Sequence, residues 1–144
     1  MPAYGRPGRK QLLTTPRFVW LDTGVRNAAA RLPLARSLLR TEGGRLFEQW
    51  ALAEIIHRAA GRSYRVSFWR TRHGAEVDAV LETPRRDVPV EFRWTENPRP
   101  ADARHLEIFL DAYSARAKEG YVVCRVPRPR KLTDRVTAIP WHSL

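Results

Sequence analysis

Asp78 and Glu91 are thirteen residues apart, and Arg93 follows Glu91 by two. Each acid lies in a short apolar-rich segment, Gly74 to Glu82 for the first and Val88 to Trp94 for the second. Side chains alternate across a strand, so Glu76 shares a face with Asp78, and Arg93 shares one with Glu91. If the two segments pair in register, Asp78 and Glu91 converge with Arg93 beside them. Glu48 belongs to a helical stretch and precedes Leu52, Ile55 and Ala59 at helical spacing, so it turns toward the buried side. A carboxylate there needs a cation, a metal or several donors. Two or three such carboxylates holding Mg²⁺ or Mn²⁺ through oxygen are suited to phosphodiester hydrolysis: the metal acidifies a bound water, and a nearby cation stabilises the transition state. The alternative at each acid is a solvent-facing carboxylate paired with arginine, or for Glu48 a first-turn glutamate favoured by the helix dipole.

The elements that must position these residues follow from periodicity. Arg45 to Ala60 carries an apolar stripe of Phe47, Trp50, Ala51 and Ile55, widened by Leu52, Ile56 and Ala59, and predicts a helix ending at Gly61. Tyr64 to Thr71 alternates and predicts a strand. Arg72-His73-Gly74 turns the chain into a second strand, Ala75 to Leu81. Glu82 to Asp87 is a polar turn into a third, Val88 to Trp94, with Pro89 near its start. Pro100 suits the first position of a helix running to Lys118. Tyr121 to Val126 reads as a strand buried on both faces. Pro127 to Lys131 is a basic loop, and Val136 to Ile139 a last short strand.

Upstream, Phe18 to Leu21 reads as a strand, and Asp22 or Thr23 caps a helix from Val25 to about Leu32. Leu34 to Leu39 resumes a helical turn, and Glu42-Gly43-Gly44 breaks it. Residues 1–16 are rich in Pro, Gly and Arg and predict a flexible basic lead-in to a single domain over 17–144. The fold class is α/β: a mixed sheet, built from a three-stranded meander plus a helix–strand crossover, flanked by helices.

At 144 residues the chain is long enough to bury a core. The formal net charge is +11, which favours an acidic partner, nucleic acid first. Only Lys10, Lys118 and Lys131 among the 26 cations are lysine, an arginine bias that also fits composition alone. No apolar run is long enough to span a membrane, no secretory signal is expected, and the single Cys124 suits a reducing cytoplasm. Cys124 reads as core packing, and the four histidines, His57, His73, His105 and His142, have no metal-ligand spacing. A P-loop motif is absent, so nucleotide hydrolysis would belong to a separate protein.

Several motifs then fall in a known order. Gly44-Arg-Leu-Phe-Glu48 on the long helix, Phe68 to Thr71, the Gly74-x-Glu76-Val77-Asp78 strand and the Val88-x-Val90-Glu91-x-Arg93 strand are followed by a helix and a strand. This order resembles the PD-(D/E)XK nuclease superfamily. More narrowly, with Phe18 to Gly24 at the start and Ile139-Pro-Trp141 at the close, the chain is similar to the domain of unknown function that follows the P-loop (AAA-type) ATPase module in many bacterial and archaeal ATPases. The resemblance implies a restriction-endonuclease-like fold, Asp78 and Glu91 as Mg²⁺ or Mn²⁺ ligands, Glu48 as accessory acid, and Arg93 in the place where active nucleases usually carry lysine. Arginine keeps the charge but cannot accept a proton at physiological pH.

Two functions follow as expectations. One is a metal-dependent nuclease acting on DNA, accessory to a separate ATPase, with Asp78, Glu91, Arg93 and Glu48 as its site. The other is a catalytically inactive module that keeps the fold and binds DNA or protein. In either case Arg70, Arg72, His73, Arg128, Arg130 and Lys131 are candidate nucleic-acid contacts. A homodimer is a third, weaker expectation for the partner.

Overall fold

The computed structural model describes residues 1–5, 15–33 and 35–144. Most of the expected lead-in, residues 6–14, lies outside the described residues, as does Leu34 at the start of the expected helical turn. The described ends of the lead-in belong to the fold. Ala3 bridges Phe68 in parallel. Tyr4 is buried, and its hydroxyl donates to Asp87 at 2.7 Å. Met1 and Arg17 exchange two backbone hydrogen bonds, so residues 1–5 and 15–20 cross the domain as a strap.

Phe18 to Leu21 forms no strand, because no sheet edge reaches it; the Trp20 amide donates instead to the side chain of Gln49 at 3.1 Å. Asp22 caps helix α1 (Thr23–Ala29), its Oδ1 accepting from the Val25 amide at 2.7 Å. Helix α2 (Leu38–Ala60) starts earlier than periodicity indicates and runs straight through Gly43 and Gly44. The glycine that reads as a breaker is there for room. A Cβ on Gly43 would stand 2.8 Å from the Trp94 indole nitrogen.

The expected meander is present as β1 (Arg65–Arg70), β2 (Glu76–Glu82) and β3 (Asp87–Phe92), with both pairings antiparallel. The crossover after it consists of a 3-10 turn over Pro100–Ala103 and α3 (Arg104–Ala112), leading to β4 (Gly120–Cys124) parallel to β3. α3 stops short of the expected Lys118. The chain turns at Tyr113 so that Arg116 can reach Asp87 and the carbonyls of Thr83 and Pro84. The basic loop holds an unexpected two-residue strand, β5 (Arg130–Lys131), which pairs with β6 (Val136–Pro140). The six-stranded mixed sheet has the order β1-β2-β3-β4-β6-β5.

The sheet separates two cores. Phe47, Ala51, Leu52 and Ile55 of α2 pack with Ala79, Val90, Phe92 and Val123 on one face. Leu106, Phe109 and Leu110 of α3 pack with Val77, Val80, Val122 and Cys124 on the other. The central strands are therefore apolar on both sides, as expected of strands in the middle of a covered sheet. Among the described residues no helix is long and apolar enough to cross a membrane.

Candidate functional site: a buried acid pair between two arginines

β2 and β3 remain paired as far as Ala79 and Val90 and then part, so Asp78 and Glu91 lie where the ladder opens. A local irregularity in β2 prepares this. Ser67 and Trp69, two residues apart on β1, face Val80 and Val77, which are three apart. The extra residue falls at Asp78 and Ala79, and such bulges re-aim a side chain. The Asp78 carboxylate turns into the gap, where its Oδ2 accepts from the Phe92 amide at 2.9 Å. It thereby satisfies a backbone donor that lost its sheet partner.

Glu91 lies between Val90 and Phe92, both packed toward α2, so its own side chain goes to the α3 face. There His105 Nδ1 is 3.8 Å from Glu91 Oε1. The Glu91 side chain is only 2% exposed, and its Oε1 has no hydrogen-bond partner.

Two guanidinium groups close on this pair. Arg93 Nη2 is 2.9 Å from Glu91 Oε2 and its Nη1 is 3.9 Å from Asp78 Oδ2. Its Nε is 3.9 Å from Asp102, the residue that accepts the Arg99 amide at the start of the 3-10 turn. Arg17 arrives from the strap. It donates to Glu48 Oε1, and its Nη1 stands 3.9 Å from Asp78 Oδ1. The structure thus brings together three of the four expected residues, Asp78, Glu91 and Arg93, and joins the fourth, Glu48, to them through Arg17.

The acids are held in unequal states. Burial pushes the Glu91 carboxyl up to about 9, with the charge of Asp78 beside it adding to the rise and Arg93 only partly opposing it. Asp78 is raised as well, again by burial, but the Phe92 amide, Arg93 and Arg17 all favour its charged form. Burial therefore favours a proton on Glu91 at neutral pH, and the contacts that favour charge fall mainly on Asp78.

These facts bear on the expected divalent cation. Asp78, Glu91 and Glu48 supply the right oxygen chemistry, and Glu91 Oε1 has no hydrogen-bond partner. The arrangement nevertheless does not fit a metal. Arg17 occupies the position between Glu48 and Asp78, and among the described residues no three His, Cys, Asp or Glu side chains are grouped to hold an ion.

Open clefts lie on both flanks of the pair. One, of about 380 Å³, is lined by Arg17, Arg26, Arg45 and Glu48 with Phe18, Trp20 and Gln49. The other, of about 390 Å³, is lined by Arg93, Trp94, Thr95, Asn97, Arg99 and Asp102. The six candidate nucleic-acid contacts do not form one patch. Arg72 and His73 are exposed in the β1–β2 turn and Arg70 pairs with Glu76 at 3.5 Å. Arg128, Arg130 and Lys131 are exposed on the far flank, where Arg130 donates to the Pro98 carbonyl and Lys131 to the Asp134 carbonyl at 3.1 Å. β1 and β5 are the two edges of the sheet.

Sequence reasoning missed Arg17, His105 and Asp102 as neighbours of the acids. Arg17 follows a proline in a segment without periodicity, and nothing local marks it. His105 had one weak signal, its place one residue before the buried Leu106 on α3.

Comparison with known proteins supplies a family. A family model described as a domain of unknown function, DUF4143, matches residues 43–144, from within α2 to the end of the chain. The chain belongs to that family. No curated protein and no solved structure matches it.

Proposed function

We propose that this chain is a DNA-binding module that retains a PD-(D/E)XK-like acidic centre but holds it neutral, so that it binds without cleaving. One observation carries the reading: the Asp78–Glu91 pair is compensated by Arg17 and Arg93, and each of those arginines also lines an open, arginine-rich cleft. Guanidinium groups on both flanks of a closed acid pair suit phosphate contacts and give the acids no proton-accepting partner of the kind that lysine would supply. The net charge of +11 adds a long-range attraction for a polyanion. The metal-dependent nuclease reading keeps one supporting feature, the unpartnered Glu91 oxygen, and loses to the arginine between Glu48 and Asp78. A separate P-loop ATPase, implied by the sequence resemblance, would be the partner that this module brings to DNA.

The test is DNA affinity as a function of salt, read by fluorescence anisotropy on labelled duplex and single strands. Each phosphate contact contributes a slope of about −0.9 for duplex DNA in log K against log salt, so three to six contacts give a slope of roughly −3 to −5. Arg99→Ala and Arg45→Ala should each make the slope shallower by about one unit. Absence of binding at low salt, or a flat response, would contradict the proposal and point to a protein partner.

A further inference from the structure

We infer that Arg17 is a resident cation: its guanidinium occupies the position between Glu48 and Asp78 and so excludes a divalent metal from the space between those two carboxylates. The inference deepens the proposed function, on which it rests for the meaning of the site, but it is carried by separate geometry. Arg17 donates to Glu48 Oε1 while its Nη1 stands 3.9 Å from Asp78 Oδ1. That Nη1 is buried and makes no hydrogen bond, so the group sits there for charge more than for fitted bonding. On the other side of Asp78, Glu91 Oε1 is also buried and without a hydrogen-bond partner. Arg17 thus fills the space between Glu48 and Asp78 with one of its nitrogens left without a hydrogen bond.

The element that delivers Arg17 is an irregular segment outside the sheet. Residues 15–20 contribute no strand to the sheet and are held by the Met1–Arg17 backbone pair and the Trp20–Gln49 contact. Beside them lies an open cleft of about 620 Å³, bordered by Arg17, Val19, Ile56, Ala59 and Tyr64 among others. The strap borders this cleft on one side, while Met1 and Val19 pack against the α2-side core. Removing the charge of Arg17 leaves Glu48 and Asp78 uncompensated on that side, and two carboxylates facing each other without a cation attract one.

The experiment is Mn²⁺ titration of the full chain at neutral pH, followed by calorimetry and by loss of the free-ion electron paramagnetic resonance signal. Arg17→Met keeps the length and loses the charge. The repulsion it removes predicts a gain in Mn²⁺ affinity of at least about tenfold over the wild type. Arg17→Lys, which keeps the charge, should stay within about threefold of the wild type. Arg17→Met combined with Asp78→Asn should lose the gain. Thermal melting checks that each variant is folded, and Arg17→Gln, neutral but able to hydrogen-bond Glu48, takes the place of the methionine variant if that chain does not fold. A folded, neutral variant that binds Mn²⁺ no more tightly than the wild type would overturn the inference. So would wild-type binding as tight as the variant's, or a gain that survives loss of Asp78. A gain in Mn²⁺ affinity without DNA binding would leave Arg17 as the resident cation and remove the proposed function. Salt-sensitive DNA binding without the gain would do the reverse.

Discussion

Arg93 lies 2.9 Å from Glu91, yet the carboxyl keeps its proton at neutral pH, because burial and the neighbouring Asp78 together outweigh one guanidinium that is itself more than a third exposed. The sign of the linkage follows. Between the ordinary 4.5 and about 9 the folded chain holds a proton on Glu91 that the unfolded chain releases, so stability is full below the lower value and falls as pH rises through that window. The slope is at most about 1.4 kcal/mol per pH unit. Urea unfolding at several pH values between 5 and 9 should show the decline in the wild type and a shallower one in Glu91→Gln, which is isosteric with the neutral acid. Equal slopes would contradict the assignment. Asp78, Glu91 and Arg93 were legible because strand alternation and a fixed spacing put two acids and a cation within reach of one another. Their protonation was not legible, because it depends on how deeply the ladder opening is buried. Arg17 was not legible at all: its role arises from contacts with Glu48 and Asp78, both distant in the chain, which no local pattern encodes.

Elements were read well where a periodic face meets a core and poorly where a long-range contact sets the boundary. The meander and the crossover came from alternation and apolar runs. The start of α2 did not, because Gly43-Gly44 carries the composition of a break. The structure shows two glycines with different duties. A Cβ on Gly43 would meet the Trp94 indole at 2.8 Å, whereas one on Gly44 would come no nearer than 4.0 Å to Trp94 Cβ. Gly43→Ala should therefore destabilise the fold by about 1–3 kcal/mol through overpacking. Gly44→Ala should stabilise it by roughly 0.5–1 kcal/mol, the usual gain in a helix interior. Thermal or urea unfolding of the two variants checks this, and effects of the same sign would show that α2 is not held against Trp94. β5 and the early end of α3 were missed for a related reason. Arg130 and Lys131 pair with a strand that comes later in the sequence, and Arg116 leaves the helix to reach the buried Asp87.

Across the whole molecule, the sheet places its acid pair at one end, with an arginine-lined cleft on each flank, and the excess of positive charge extends well beyond those clefts. The exposed Arg70, Arg72 and His73 on one edge and Arg128, Arg130 and Lys131 on the other fit an extended contact better than a single pocket. In the proposed reading, phosphates are drawn to this end by charge, and the acids beneath are silent because guanidinium groups and a proton already balance them. Supercoiled plasmid incubated with the wild-type chain in millimolar Mn²⁺ tests this most directly, with mobility and topology read on the same gel. The reading predicts that the protein retards the plasmid at low salt and leaves it supercoiled. Nicked or linear DNA that accumulates with the wild type and not with Asp78→Asn would contradict it.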